Sequence, residues 1–384
     1  MSKDSSLLEE FFLLVFISII RTNSYIGIVI AKRMHIHDRK TYTVESVTNG
    51  HPDKVCDQIS DAILDECMRQ DPMSRVAVET FGSHGHLIIG GEVTTKAKVD
   101  YGEVGRKLYK KIGYTKPLKI EVFVAEQSPD IAQGVNTGGA GDQGIMYGFA
   151  TKETAEYLPT GVVLVHKLAK RLQEAREKKE IKWLRPDGKT QITIHEGKIT
   201  TVLVSTQHDK NVGQDEIVKT VKEKVIVPIV GSLKGLEILV NPTGNFVQGG
   251  FDADTGLTGR KIMVDTYGGL ICHGGGAFSG KDLTKVDRSA AYMCRFVAKN
   301  LVANGYAKDC LVSVAYAIGH IDPLMVHAID EKGKSLAGLV KKHFDFRPLA
   351  IIERLNLRRP IYLQTAAYGH FGKKRLPWEE IIKM

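Results

Sequence analysis

Residues 273–288, HGGGAFSGKDLTKVDR, bring four glycines, two lysines and two aspartates into sixteen positions. Such a stretch cannot be regular structure throughout. Glycines let the backbone bend and approach a ligand closely, and Lys281 and Lys285 offer ammonium groups to phosphate oxygens. Asp282 and Asp287 would repel a bare phosphate. They belong beside one only with a divalent cation between, as when Mg²⁺ bridges one or two carboxylates to a polyphosphate. The plainer reading is a mobile loop leading into a helix, with Thr284 and Asp287 as its capping box. Residues 275–281 also have the G-x-x-x-x-G-K spacing of a P-loop. Asp282, however, stands where Ser or Thr should hold the metal, so a P-loop-like nucleotidase is the runner-up.

The 384-residue chain is long enough for two or three domains and carries a formal net charge of +9 with a pI near 9.1. A basic balance suits nucleic acid, an anionic surface or an anionic small substrate. With no arginine-rich tract, the small substrate is favoured, with neither nucleic acid nor membrane as partner. The five cysteines (Cys56, Cys67, Cys272, Cys294 and Cys310) form no C-x-x-C pair. That argues against a disulfide framework or zinc site and for a reducing compartment, hence the cytoplasm. Residues 1–40 are atypical. FFLLVFISII (11–20) is too short for a membrane helix of about twenty residues, and four polar residues separate it from the next apolar run. A signal or anchor is the alternative. The preferred reading is an extension outside the working protein, with translation starting at Met34.

Along the chain, residues 41–48 read as a strand, Asn49 and Gly50 as a turn, and His51 with Pro52 as the opening of a helix, since proline is favoured at its first position. His51, Asp53 and Lys54 then sit at a helix N-terminus, where backbone N–H groups favour anions. A hairpin follows at 75–81 and 86–95, with Glu79 and Glu92 on its strands, and a further strand at 119–125. The glycine-rich loop from Gln127 to Gly144 suits a lid. A helix spans 160–179, residues 183–189 form a turn, strands lie at 190–195 and 199–206, a helix at about 214–226, and 236–246 reads as a strand ending at a turn. KIMVDTY (261–267) reads as a strand, 284–304 as a helix and 310–318 as a strand. Separate loops thus deliver Lys54, Lys189, Arg260, Lys261, Lys281 and Lys285, with Asp53, Asp142, Asp254 and Asp287 among them. The sum suits a metal-complexed polyphosphate.

These stretches resemble the S-adenosylmethionine synthetase family over residues 41–380. The resemblance rests on ESVTNGHPDK (45–54), GAGDQG (139–144), WLRPDGK (183–189), STQH (205–208), GLTGRK (256–261) with DTYGG, and HGGGAFSGKD with KVDRSAAY. It implies an α/β fold of α+β layers: three similar sheet-plus-helix domains about a pseudo-threefold axis, here 41–135, 136–250 and 251–384. It implies synthesis of S-adenosyl-L-methionine from ATP and L-methionine, by sulfur attack on C5′ and hydrolysis of the triphosphate to pyrophosphate and phosphate. Two Mg²⁺ ions per site and K⁺ accompany the reaction. At matching positions, His51 and Lys189 lie near the breaking bond, Asp53 and Asp287 hold Mg²⁺, and Glu79 serves K⁺. Arg260, Lys261, Lys281 and Lys285 take the phosphates. Asp142, Asp187, Asn245, Phe246, Asp254 and Ala277 also contact ATP, and Glu92, Gln127, Asp254 and Lys285 contact methionine. Family members are homodimers with shared active sites, some paired as dimers of dimers. Here Asn245 stands where the family carries arginine, Gln248 replaces an aliphatic residue, and the 113–127 segment and the loop from Gln127 to Asp142 are shorter than usual.

Overall fold

The structure, a computed structural model, describes residues 40–126 and 138–384. The expectations for the N-terminal extension and for Gln127 lie outside the described residues. Eleven strands form three sheets among the described residues. The strands are β1 (Thr41–Val47), β2 (Arg75–Ser83), β3 (His86–Thr94), β4 (Lys119–Ala125), β5 (Gly144–Thr151), β6 (Leu184–His195), β7 (Lys198–His208), β8 (Glu237–Val240), β9 (Gly256–Leu257), β10 (Asp309–Tyr316) and β11 (Met325–Asp330). The sheet orders are β4-β3-β2-β9, β1-β6-β7-β8 and β11-β10-β5. The principal helices are α1 (Pro52–Gln70), α2 (Tyr101–Ile112), α3 (Thr160–Glu177), α4 (Gln214–Val221), α5 (Val286–Ala303), α6 (Ala337–His343) and α7 (Pro348–Arg354).

One plan recurs three times. A long helix leads into an antiparallel hairpin: α1 into β2 and β3, α3 into β6 and β7, α5 into β10 and β11. The first two units add a helix and a parallel strand, α2 with β4 and α4 with β8. Each hairpin's first strand is flanked by an antiparallel strand from elsewhere in the chain: β9 beside β2, β1 beside β6, β5 beside β10. The long helix packs on both of those strands. The loans run in a cycle, so each sheet draws on two different thirds of the chain. The three sheet-plus-helix units are those the family resemblance implies.

Period-two alternation sets the faces of the second-strand hairpin. Val76, Val78, Leu87, Ile89 and Val93 are buried against α1, while Glu79, Phe81, Ile88 and Glu92 point outward and are exposed. Helix α5 is buried nearly all round, which places it inside the molecule rather than at its surface. Its charged residues are therefore paired. Arg288 holds Asp61 through both guanidinium nitrogens at 2.7 and 2.8 Å, and Arg295 and Lys299 share Glu379.

Four local expectations need correction. Residues 184–189 belong to β6 rather than a turn. Pairing with β1 and β7 overrides the Pro186 and Gly188 turn chemistry, which survives as a register irregularity between Leu184 and Gly188. The 261–267 stretch is not a strand but contains a four-residue helix, Ile262–Asp265. Its hydrogen bonds close locally, with Thr266 Oγ1 donating to the Ile262 carbonyl at 2.8 Å. The helix expected at 214–226 ends as α4 at Val221 and widens into a π turn at Lys222–Ile226, ahead of Pro228. The helix after the glycine-rich loop has Lys285 at its N-cap with no side-chain cap bond, so the Thr284 and Asp287 capping box does not form. Asp282 takes the Thr284 amide instead, at 2.7 Å.

Removing one member of a buried ion pair strands the other charge and costs about 3–5 kcal/mol. Asp61→Ala is expected to destabilise the fold by that order, read as a lowered midpoint in urea unfolding. Lys219→Ala, on an exposed position of α4, is expected to stay within about 0.5 kcal/mol of the parent.

Candidate functional site

The site begins where β1 ends. Thr48 is tied to β6 by its amide to the Gly188 carbonyl (2.9 Å) and its hydroxyl to the Pro186 carbonyl (2.7 Å). The Tyr114 hydroxyl donates to the Gly50 carbonyl at 2.5 Å. The chain then enters α1 with His51 as N-cap, its Nδ1 accepting from the Asp53 amide at 3.2 Å. An accepting Nδ1 leaves the proton of the neutral ring on Nε2. Burial first, and the Lys261 ammonium second, pull His51 down from 6.5 to about 3. Only 2 % of His51 is exposed.

Asp53 gathers the next loop. It accepts from the Leu257 amide (3.0 Å) and from Lys261 Nζ (2.6 Å), with Arg260 Nε at 3.5 Å. Burial pushes this carboxyl up, but Lys261 and the Leu257 amide outweigh it and hold it below its ordinary value. β9 comes this close because residue 256 is glycine: a Cβ there would lie 2.3 Å from the Pro52 carbonyl carbon. One turn along α1, Asp57 accepts from the Gly259 amide at 2.8 Å. Lys54 Nζ lies 2.9 Å from Asp57 and 2.5 Å from Asp265, all three buried. Burial pulls Lys54 down, but the two carboxylates prevail and hold it well above its usual value.

The glycine-rich loop closes over the next turns of α1. Asp61 accepts from the Gly280 amide at 2.9 Å and carries Arg288. Lys281 Nζ meets Asp287 at 2.6 Å, and Lys285 Nζ meets Asp282 at 2.5 Å. Asp282 is wholly buried and also takes the Val76 amide at 2.7 Å. It is a structural clamp, and a P-loop reading has no hydroxyl in its place. Gly276 cradles the Asp287 carboxylate, since a Cβ would lie 2.2 Å from its carboxyl carbon. Ala277 packs against Gly259, joining this loop to the one bearing Arg260 and Lys261.

Across from these, β6 carries Asp187 and Lys189. Asp187 Oδ2 accepts from the Gly250 amide at 2.8 Å, while its buried Oδ1 has no partner among the described residues. Burial raises it to about 6 against the Gly250 amide. Lys189 is exposed, and its charge acts on both His51 and Asp187; the charge of Asp254 also reaches Asp187. The Phe246 amide donates to His208 Nε2 at 3.0 Å. Asn245 is exposed on the same segment.

Contacts and charge interactions link His51, Asp53, Asp187, Lys189, Asp254, Arg260 and Lys261; Lys281, Lys285 and Asp287 stand with Asp282 on the glycine-rich loop, which meets the first set where Ala277 packs on Gly259. Glu79 and Glu92 stand on the outer face of the β2–β3 hairpin. Neither makes a hydrogen bond or ion pair among the described residues. Asp142 is exposed, and among the described residues its side chain accepts only from the neighbouring Gln143 amide, at 2.8 Å. The sequence reading missed Asp57, Asp61, Asp65, Arg288, Tyr114 and Asp265. A signal for some of them was present: Asp53, Asp57, Asp61 and Asp65 recur every fourth residue, one row along a helix.

The two lysine-bound carboxylates occupy equivalent places. Asp53 is the second residue of α1 and Asp287 the second of α5; the matching position in α3 is Gly161. Among the described residues no group of three or more His, Cys, Asp or Glu could hold a metal alone. A single carboxylate at a helix start nevertheless fits a hard cation that keeps water and takes its remaining ligands from substrate phosphates.

Family models of S-adenosylmethionine synthetase match the chain in three parts: the N-terminal domain at residues 39–132, the central domain at 137–246 and the C-terminal domain at 248–380. The S-adenosylmethionine synthase of Staphylococcus epidermidis is 48% identical over 387 residues, covering 91% of this chain and 97% of that protein. That of Petrotoga mobilis is 48% identical over 388 residues (89% and 96%), and that of Mycoplasma capricolum 47% over 374 residues (90% and 96%).

A neutral buried imidazole is measurable. The His51 ring is expected to show no titration between about pH 5 and 8 by NMR. Its folded value, about 3, lies below the ordinary 6.5. Its contribution to stability is therefore full above pH 6.5 and is lost as pH falls toward 3.

Proposed function

The chain belongs to the S-adenosylmethionine synthetase family, and we propose the following division of labour for the synthesis of S-adenosyl-L-methionine from ATP and L-methionine. The observation that carries it is a matched pair of carboxylates at helix starts, Asp53 bound by Lys261 and Arg260 and Asp287 bound by Lys281, on loops that touch where Ala277 packs on Gly259. The methionine sulfur attacks C5′ of ATP, a carbon–sulfur bond forms, and the C5′–O bond breaks. The electron pair leaves with the triphosphate, and water then splits that chain into pyrophosphate and phosphate. Charge developing on the departing oxygen is the main electrostatic demand, and groups fixed in advance to meet it give the largest rate gains.

His51 and Lys189 serve the bridging oxygen. Neutral His51 donates its Nε2 proton in a hydrogen bond, and Lys189 supplies positive charge from β6. Arg260, Lys261, Lys281 and Lys285 bind the phosphate oxygens. Lys261 and Lys281, held on Asp53 and Asp287 in the structure described above, exchange carboxylate for phosphate as substrate arrives. Asp53 and Asp287 are then free to hold divalent cations, two Mg²⁺ per site, which supply further neutralisation of the polyphosphate. Asp187, Asn245, Phe246, Ala277 and Asp142 form the nucleotide side, with His208 fixing the Phe246 backbone. Asp254 and Lys285, with Glu92 and Gln127, take methionine.

Glu79, Glu92 and the apolar Phe81, Ile88 and Phe123 share the outer face of one sheet, and Phe123 is 65% exposed. A second copy of the chain covers that face in a homodimer whose sites take residues from both subunits, with pairing of dimers as a further step. Glu79 then serves K⁺ in that setting. No described helix is long and apolar enough to cross a membrane. The enzyme acts in the cytoplasm.

The test is product formation. With ATP, Mg²⁺, K⁺ and methionine, S-adenosylmethionine is expected by chromatography; phosphate release indifferent to methionine would overturn the reading. Lys261→Ala and Lys281→Ala are each expected to lower kcat by about 10²–10³. Asp53→Asn and Asp287→Asn are expected to raise the Mg²⁺ concentration needed for half-maximal rate.

A further inference from the structure

Tyr114 stands outside the charged groups of the candidate site, yet it touches two of the segments that build it. It follows α2 directly. Gly113 closes that helix in the left-handed region, at φ 119°, and the Tyr114 amide donates to the Tyr109 carbonyl at 3.3 Å. Glycine suits such a cap because it has no Cβ. The turn brings the Tyr114 ring onto Tyr109, with centroids 4.8 Å apart and planes 18° apart. Tyr109 stacks in turn on Phe251, at 5.4 Å and 9°. Phe251 is wholly buried over Gly82, where a Cβ would lie 2.1 Å from its Cζ, and its carbonyl accepts from the His84 amide at 2.6 Å. Three stacked rings thus stand on the β2–β3 hairpin, with Tyr114 at one end.

The Tyr114 hydroxyl makes one hydrogen bond among the described residues, to the Gly50 carbonyl at 2.5 Å. That carbonyl belongs to the peptide joining Gly50 to His51. The N–H of the same peptide donates to the Thr48 carbonyl at 3.1 Å. A peptide group is planar, so holding both of its ends fixes its tilt, and with it the direction in which His51 leaves the backbone. Gly50 is packed on β6, where a Cβ would lie 2.5 Å from the Pro186 Cβ. The Tyr114 ring also covers Gly250, where a Cβ would lie 2.4 Å from the Tyr114 Cζ, and the Gly250 amide is the donor to Asp187. Burial pushes the phenol well above its ordinary value, so the hydroxyl keeps its proton and remains a donor.

We propose that Tyr114 is a positioning residue for the synthesis of S-adenosylmethionine, its hydroxyl fixing the Gly50–His51 peptide and through it the imidazole. The stack sets the ring, the ring sets the hydroxyl, and the hydroxyl holds the His51 turn in the attitude that meets the bridging oxygen. Tyr114 itself touches no reacting atom. The inference rests on the role given to His51 above.

Tyr114→Phe removes the hydroxyl and keeps the ring. Its kcat for S-adenosylmethionine formation is expected to fall by about tenfold or more, with KM for ATP and for methionine within about twofold of the parent. Hydrolysis of added inorganic triphosphate with Mg²⁺, which breaks no C5′–O bond, is expected to stay within about twofold. That arm reports a folded site, so a loss confined to synthesis does not come from misfolding. Tyr109→Phe removes a hydroxyl that makes no hydrogen bond among the described residues and is expected to keep kcat within about twofold. In a His51→Asn background, Tyr114→Phe is expected to cost less than about twofold further, because the two residues act as one unit. A Tyr114→Phe kcat within about twofold of the parent, equal losses in both backgrounds, or a parallel loss of triphosphate hydrolysis overturns the proposal. A slow His51→Asn beside a fast Tyr114→Phe overturns it alone, whereas a parent rate for His51→Asn overturns the role given to His51 and this proposal with it.

Discussion

The fold and the site both hang on a row of carboxylates inside one helix. Asp53, Asp57, Asp61 and Asp65 stand on successive turns of α1 and are buried. They accept backbone N–H groups from three distant segments: Leu257 and Gly259 onto Asp53 and Asp57, Gly280 onto Asp61, and Tyr362 with Leu363 onto Asp65. Loops rich in glycine have little side-chain surface to bury and cannot hold themselves in place by packing. A carboxylate taking an amide is directional and charge-assisted, so the row fixes loop backbones at chosen heights along a rigid rod. Desolvating these charges is costly, and three of the four acids are answered by Lys261 and Arg260, Lys54, and Arg288. Asp65 makes do with two amides, and burial pushes it up to about 6.

The same economy shapes the candidate site. Cations gathered on neighbouring loops would repel each other if left bare. Lys261 and Lys281 instead rest on Asp53 and Asp287, and Lys285 on Asp282. These three lysine charges are therefore balanced within the protein, and their side chains are already held in position. Preorganisation of this kind avoids paying reorganisation at the moment of reaction. His51 follows another route: its burial keeps the ring neutral, so it offers a hydrogen bond without adding another charge.

Much of this was legible in the residues, for stated reasons. Strands with clean alternation, such as β2, β3 and β4, fell where period two placed them, and Pro52 marked the start of α1. The motif loops contain some of the residues that the structure pairs, Asp53 with Lys261 and Asp287 with Lys281. Signals failed where tertiary pairing outvoted local chemistry. Pro186 and Gly188 look like a turn, but two neighbouring strands hold them in β6. The apolar 261–267 run looks like a strand, but it has no ladder to join. Thr284 and Asp287 have capping-box spacing, but Asp282 and Lys281 claim the groups involved. The aspartate row was visible as a four-residue repeat, yet its meaning depended on loops two hundred residues away in sequence. No sequence repeat betrays the threefold plan, because what recurs is topology and a single acidic place at two helix starts.

The circular lending of β1, β5 and β9 has a consequence for how such a chain comes into being. The first of the described strands, β1, has no described partner strand until β6 is synthesised, and the β2–β3 hairpin waits still longer for β9. Nascent polypeptide leaving a ribosome therefore cannot finish one layer before starting the next. Completion is collective and late, driven by contacts far apart along the chain, a condition that slows folding and exposes unpaired edges on the way. Cutting the gene at any of its apparent joints would release pieces each missing an edge, and each holding the edge that another piece lacks.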